Sequence, residues 1–235
     1  MTMKKYELYV EGDNDRCIIL SLGHKRNLKP NKSERKLKFG ENLVEVKSEK
    51  SNDEQVYNFL RLALTNPSNY GALGIVIDAD DFDNKRYSDR VSNFKEILKS
   101  IGDEIYDTEN SLTQNGIIFS PKGEKDRYPK VGIWVMPDNK TTGAIEKFLW
   151  DAGVQDIYKD TYEKVLEVIK EIECENEKKI RHYIDNHHFK ALVHTLLSWV
   201  EEPGNPMGIS IDKCVWKTAE QNQEKFFNWL NELYK

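Results

Sequence analysis

The sequence predicts an α/β protein, a parallel sheet flanked by helices, continued by an all-helical C-terminal part. Strand and helix patterns alternate through residues 1–150, as expected for parallel strands joined by right-handed crossovers. The runs LGIVI (Leu73–Ile77) and VGIWVM (Val131–Met136) do not alternate between apolar and polar residues. Both faces of such strands are expected to be buried. Residues 151–235 carry helical periodicity only. The expected division is therefore an α/β domain over 1–150 and a helical extension over 151–235, packed on the same core.

Each element has its own signal. Lys5–Val10 reads as the first strand, and Asp13 or Asn14 caps a helix running to about Leu22. Leu43–Val46 reads as a short second strand. Ser51 or Asn52 opens a helix with Val56, Phe59, Leu60, Ala63 and Leu64 at helical spacing, and Pro67 lies beyond its end. Leu73–Ile77 is the third strand. Val91, Phe94, Ile97, Leu98 and Ile101 mark the next helix, which Gly102 stops. Gly116–Phe119 and Val131–Met136 are further strands, and Gly143–Trp150 is a short helix. Two long helices are expected over about 158–175 and 177–200, then a sharp PGNPMG loop, then an amphipathic helix over 219–234.

Composition removes several functional classes. Apolar residues make up 38% of the chain, enough for a core and too many for a disordered chain. No apolar run approaches the ~20 residues of a membrane span, and the N-terminal MTMKKYELYVEGD forms a strand where a signal peptide would need a longer apolar stretch. A cytoplasmic location without membrane association is expected. Cys17, Cys174 and Cys214 are far apart, with no metal-ligand spacing. Phosphate-loop, dinucleotide-loop and zinc-protease motifs are absent. Any metal site must then be built from carboxylates.

Two strands end in acid. YELYVEGDND brings Glu11, Gly12 and Asp15 after the first strand, and LGIVIDADDF brings Asp78, Asp80 and Asp81 after the third. Ligands of open parallel sheets bind at the carboxyl ends of the strands. Asp78 and Asp80, two residues apart, point to the same side, and Gly12 is expected to permit a tight exit for Glu11. Converging carboxylates repel unless a cation lies among them. An all-oxygen ligand set selects Mg²⁺ or Mn²⁺, the ions of phosphodiester chemistry. A haloacid-dehalogenase phosphatase, which also uses DxD, fits less well. Its nucleophile belongs on the first strand, and Phe82 stands where that motif carries Thr or Val.

The pair VEGDND and VIDADD resembles the Toprim signature, a Glu-Gly after one strand and a D-x-D after a later one. Glu11-Gly12 and Asp78-Ala79-Asp80 match it, and Asp83 stands where Toprim proteins usually carry Gly. IWVMPDNKTTGAIEKFL and KALVHTLLSWVEEPGNPMG extend the likeness over most of the chain. They resemble a small Toprim branch related to the nuclease domains of the OLD (overcoming lysogenization defect) family. The resemblance implies a Toprim-like (Rossmann-like) fold and a Mg²⁺- or Mn²⁺-dependent nuclease of DNA or RNA. It implies Glu11, Asp15, Asp78, Asp80 and Glu146 as metal ligands, Glu11 also as general acid/base, and Lys190 as a cation on the scissile phosphate. Asp81 and Asp138 are further candidate acids; Asp15, Glu146 and Asp138 each have an ordinary alternative as helix-start or capping residues. The implied context is prokaryotic defence or nucleic-acid processing beside an ABC-type ATPase, with an oligomer allowed. The alternative is a non-catalytic Toprim module that docks an ATPase or scaffold.

The net charge of −5 does not suggest a general nucleic-acid coat. HKRNLKPNKSERKLK, however, concentrates seven Lys/Arg against one Glu. Lys25, Arg26, Lys29, Lys32, Arg35 and Lys36 form a candidate phosphate-tracking arm, the alternative being a solvated basic loop.

Overall fold

The computed structural model describes residues 4–29, 35–48, 53–79, 86–109, 111–123, 127–174, 178–200, 207–218 and 220–235. Asp80, Asp81 and Lys32 lie outside the described residues.

Among the described residues, six strands form one sheet in the order β2-β3-β1-β4-β6-β5. They are β1 (Lys5–Val10), β2 (Lys36–Phe39), β3 (Asn42–Ser48), β4 (Tyr70–Asp78), β5 (Ile117–Phe119) and β6 (Lys130–Met136). The central strands β3, β1, β4 and β6 are parallel, and the two edges, β2 and β5, are antiparallel to their neighbours. The predicted buried strands are the central ones: Leu73, Ile75, Val76 and Ile77 of β4, and every residue from Val131 to Met136 of β6, are almost fully inaccessible.

One strand escaped sequence reading. Lys36–Phe39 lies inside the basic segment, yet it pairs Leu37 with Val44 and Phe39 with Asn42. Leu37 and Phe39 are buried while Lys38 faces out. This period-two pattern was hidden because its outward positions are lysines. Lys36 therefore belongs to a sheet edge, where lysine also discourages pairing with another chain. The acidic tip after Ile77 accordingly ends the fourth strand in chain order, not the third.

The helices are α1 (Asp13–Lys25), α2 (Asp53–Thr65), α3 (Arg86–Ile101), α4 (Ile145–Ala152), α5 (Lys159–Cys174), α6 (Lys178–Val200), α7 (Met207–Asp212) and α8 (Gln221–Tyr234). α6 breaks at His187, whose φ of −136° and ψ of 36° are not helical. The sheet separates two apolar clusters. One joins α1, α4 and the C-terminal helices through Ile18, Leu22, Phe148, Leu192, Trp216 and Trp229. The other joins α2 and α3 through Leu60, Phe94 and Leu98. None of the described helices is long and apolar enough to cross a membrane.

The last helix is built into the sheet. Tyr234 of α8 donates its hydroxyl to the carbonyl of Glu7 in β1 at 2.6 Å. A Cβ at residue 74 would stand 2.4 Å from that hydroxyl, and one at residue 132 would stand 2.8 Å from Leu233. The two glycines of β4 and β6 thus make the room in which α8 packs. The Glu7 side chain is buried and accepts a 2.7 Å ion pair from Lys47 of β3. Replacing Lys47 with Met is expected to strand that carboxylate and cost about 2 kcal/mol. This is less than for a fully buried pair, because Lys47 is about a third exposed. Adding Glu7→Gln should recover most of the loss, and urea unfolding of the three variants measures it.

Candidate functional site

The route of the chain through the sheet locates the site. From β1 the chain moves to β3 on one side, then returns across to β4 on the other. α1 leaves β1 toward one apolar cluster, and α3 leaves β4 toward the opposite one. The helices diverge and leave a crevice between the carboxyl ends of β1 and β4, the place where open α/β sheets bind ligands.

Glu11 and Asp78 meet in this crevice. One Glu11 carboxylate oxygen, Oε1, accepts the backbone N–H of Asp78 at 3.0 Å. The last register pair of the two strands is Val10 with Val76, so the Glu11 side chain takes over where the β1 backbone leaves off. Gly12 is not needed for this exit. Its φ of −131° is extended backbone open to any residue, and a Cβ there would make only ordinary contacts. The glycine that matters is Gly143, with φ of 133°. Its carbonyl accepts the N–H of Ala79 at 3.1 Å, and this hydrogen bond draws the segment before α4 onto the β4 tip.

Asp15, Glu146 and Lys190 form a second group. Asp15 lies in the first turn of α1 and accepts the N–H of Gly12 at 2.9 Å, the reciprocal half of a capping box. Glu146, in the first turn of α4, is 5% exposed. Its carboxylate stands 3.8 Å from the ammonium of Lys190, which lies on α6 beyond the break at His187. Burial pushes the Asp15 carboxyl up to about 6; the Gly12 N–H opposes this, Glu146 adds to it and Lys190 opposes it. Two acids from different helices are thus held within electrostatic reach, one reluctant to ionise.

Asp138 does other work. Its Oδ1 accepts the N–H groups of Lys140 and Thr141 and the Thr141 hydroxyl at 2.8–3.0 Å, which builds the turn after β6. Asn139 beside it, at φ 61°, accepts the N–H of Val135 at 2.7 Å.

Glu11, Asp78, Asp15 and Glu146 offer only oxygen, the donor type that hard divalent cations take, and a cation beside Asp15 would offset the burial, and with it the lesser repulsion from Glu146, that raise its carboxyl. Among the described residues, no three His, Cys, Asp or Glu side chains form a metal-binding group. The D-x-D partner Asp80 and its neighbour Asp81 lie outside the described residues.

The family model described as "Protein of unknown function (DUF3226)" matches residues 5–235. The chain belongs to this family. No curated protein matches it. Among solved structures, the C-terminal region of the Xanthomonas campestris pv. campestris OLD protein, phased with mercury, is similar at 15% identity and a TM-score of 0.45, covering 99% of this chain and 97% of that one. The same region phased with platinum gives 15% identity and a TM-score of 0.43, covering 97% and 93% of the two chains.

The basic segment of this DUF3226 chain is partly committed to internal contacts. Lys25 donates to the carbonyl of Asp212 at 2.9 Å and to the Cys214 sulfur at 3.1 Å. Arg26 pairs with Glu224 at 2.8 Å, donates to the Thr218 carbonyl and lies over the Phe227 ring. Both residues tie the end of α1 to the C-terminal helices. Lys29 lines a cleft of about 560 Å³ between α1 and α7, with Cys17, His24 and Asp212. Arg35 is exposed at the entry to β2.

Sequence reading missed two arginines at the carboxyl end of the sheet. Arg16 pairs with Asp13 at 3.0 Å and donates to the Ser48 hydroxyl at 2.7 Å, locking α1 to the end of β3. Arg90 of α3 is 9% exposed and donates its Nε to the carbonyl of Asp78 at 3.3 Å. The signal for Arg90 was its spacing. It falls four residues before Phe94 and seven before Ile97, a charge on an apolar stripe.

Proposed function

We propose that this DUF3226 chain is a Mg²⁺- or Mn²⁺-dependent nuclease. The observation that carries the reading is the meeting of Glu11 and Asp78 at the β1–β4 crevice, with Asp15, Glu146 and Lys190 grouped on the helices around it. Glu11 and Asp78, with Asp80, would hold one divalent ion, and Asp15 and Glu146 a second. The bound ion would supply Lewis acidity toward a phosphodiester and a more acidic water. Glu11 would move the proton of the attacking water, and its contact with the Asp78 N–H keeps it oriented for that task. Lys190, half-exposed beside Glu146, would meet negative charge developing on the phosphate or the leaving oxygen. Such a nuclease would act in defence or nucleic-acid processing alongside an ABC-type ATPase.

The alternative is a docking module without catalysis. Purified protein with Mg²⁺ or Mn²⁺ should cut at least one of plasmid, single-stranded DNA and structured RNA, and Asp78→Ala should abolish the cutting. No cleavage by the wild type, even with a co-expressed ATPase neighbour, would favour the docking module.

For the basic segment, neutralising Lys29, Lys32, Arg35 and Lys36 together should weaken nucleic-acid binding and reduce the magnitude of its log–log salt slope by about 3–4. Neutralising Lys25 and Arg26 should instead mainly lower the melting temperature, given their internal contacts. Binding measured from low to moderate salt checks both, and an unchanged slope would leave the segment a solvated edge.

A further inference from the structure

The Asp78 peptide is gripped from two sides. In a strand, the N–H and C=O of one residue share an edge, and successive residues alternate edges. Ala79 donates its N–H to Met136 of β6, so the polar edge of Asp78 faces β1. β1 has ended by then. Its role passes to two side chains: Glu11 accepts the Asp78 N–H at 3.0 Å, and Arg90 donates to the Asp78 carbonyl at 3.3 Å. Glu11 comes from the chain leading into α1, and Arg90 from α3 on the opposite face of the sheet. The Tyr57 hydroxyl of α2 donates to the backbone carbonyl of Arg90 at 3.4 Å, tying the arginine's own turn to α2. Burying a guanidinium is costly unless its place gives something back. Here the place is the rim of the carboxylate crevice, one bond from the residue that carries the Asp78 carboxylate.

We propose that Arg90 is a positioning residue for the metal site, holding the Asp78 peptide in the orientation that lets the Glu11 and Asp78 carboxylates share one cation. This rests on the metal-dependent reading above. Arg90 acts on the cation through the strand tip it bonds, as outer-shell partners do when they fix ligand orientation.

The test uses the full chain, with Mn²⁺ as the probe and no substrate. Free Mn²⁺ is followed by its spin resonance for the wild type, Arg90→Met, which keeps an apolar stem, and Arg90→Lys, which keeps a charge. The expected result is a rise in the Mn²⁺ dissociation constant of about 10–100-fold for Arg90→Met, with Arg90→Lys between it and the wild type. The Mn²⁺ concentration for half-maximal cleavage should move by the same factor. If Arg90→Met does not fold, Arg90→Lys alone should still show the weaker binding. Unchanged Mn²⁺ affinity in the folded variants, with or without a lower melting temperature, would reduce Arg90 to packing and overturn the proposal. A wild-type protein that takes up no Mn²⁺ would overturn the metal-dependent reading itself, and this proposal with it.

Discussion

Cleavage by Glu11→Gln is expected to be about 10²–10⁴-fold slower than by the wild type at saturating Mg²⁺, the range for losing a general acid or base. The substitution is chosen for what it keeps. A glutamine at 11 retains an Oε1 acceptor for the Asp78 N–H, the contact seen at 3.0 Å, so the strand tip should stay in place. What disappears is the charge and the ability to take a proton. The melting temperature without metal should therefore change little, while the Mg²⁺-dependent stabilisation expected of the wild type should fall. Single-turnover rates and thermal unfolding with and without Mg²⁺ check both parts. A wild-type cleavage rate in Glu11→Gln would remove Glu11 from the chemistry, whatever the fate of the other acids.

Asp15→Asn should make the metal-free protein more stable at neutral pH, by about 2–3 kcal/mol. The folded-state pKa of Asp15 is raised from 3.8 to about 6, first by burial. For a carboxyl with a raised folded pKa, the folded chain binds the proton more tightly than the unfolded chain. The resulting stability is fully present below pH 3.8 and is lost as pH rises through about 6. A shift of about two pKa units corresponds to about 3 kcal/mol. Asparagine removes the buried charge and keeps an acceptor for the Gly12 N–H. Urea unfolding should show the gain at pH 7–8 and none near pH 4. Saturating Mg²⁺ should narrow the gap by stabilising the wild type more than Asp15→Asn, which lacks a ligand of the proposed second ion, since a ligand that binds only the folded state adds to its stability. Equal stability of the two proteins at pH 8 would mean that Asp15 is an ordinary solvated capping residue.

Much of the fold could be read from local pattern. The unbroken apolar runs of β4 and β6 announced a parallel sheet buried on both faces, and β1 was legible as the strand ahead of the first acidic tip. Once those strands were parallel and adjacent, Glu11 and Asp78 had to emerge at one end, because side chains at parallel strand tips share a rim. The strand hidden in the basic segment was not legible, since its outward residues are the lysines that suggested a loop. Glu146 and Lys190 came from the resemblance alone. No local pattern links them; the packing of α4 on α6 brings them to 3.8 Å.

The alternation of strands and helices, the acidic character of two strand ends and the oxygen-only donors of the candidate site were all legible in the residues. These follow from periodicity and residue type, which act over a few neighbouring positions. Long-range packing settled which arginine reaches Asp78, that Lys25 and Arg26 tie the end of α1 to the C-terminal helices, and that the last helix fills the space above Gly74 and Gly132. Those outcomes depend on contacts between residues far apart in the chain, up to the 227 positions between Glu7 and Tyr234, and no local preference encodes such distances.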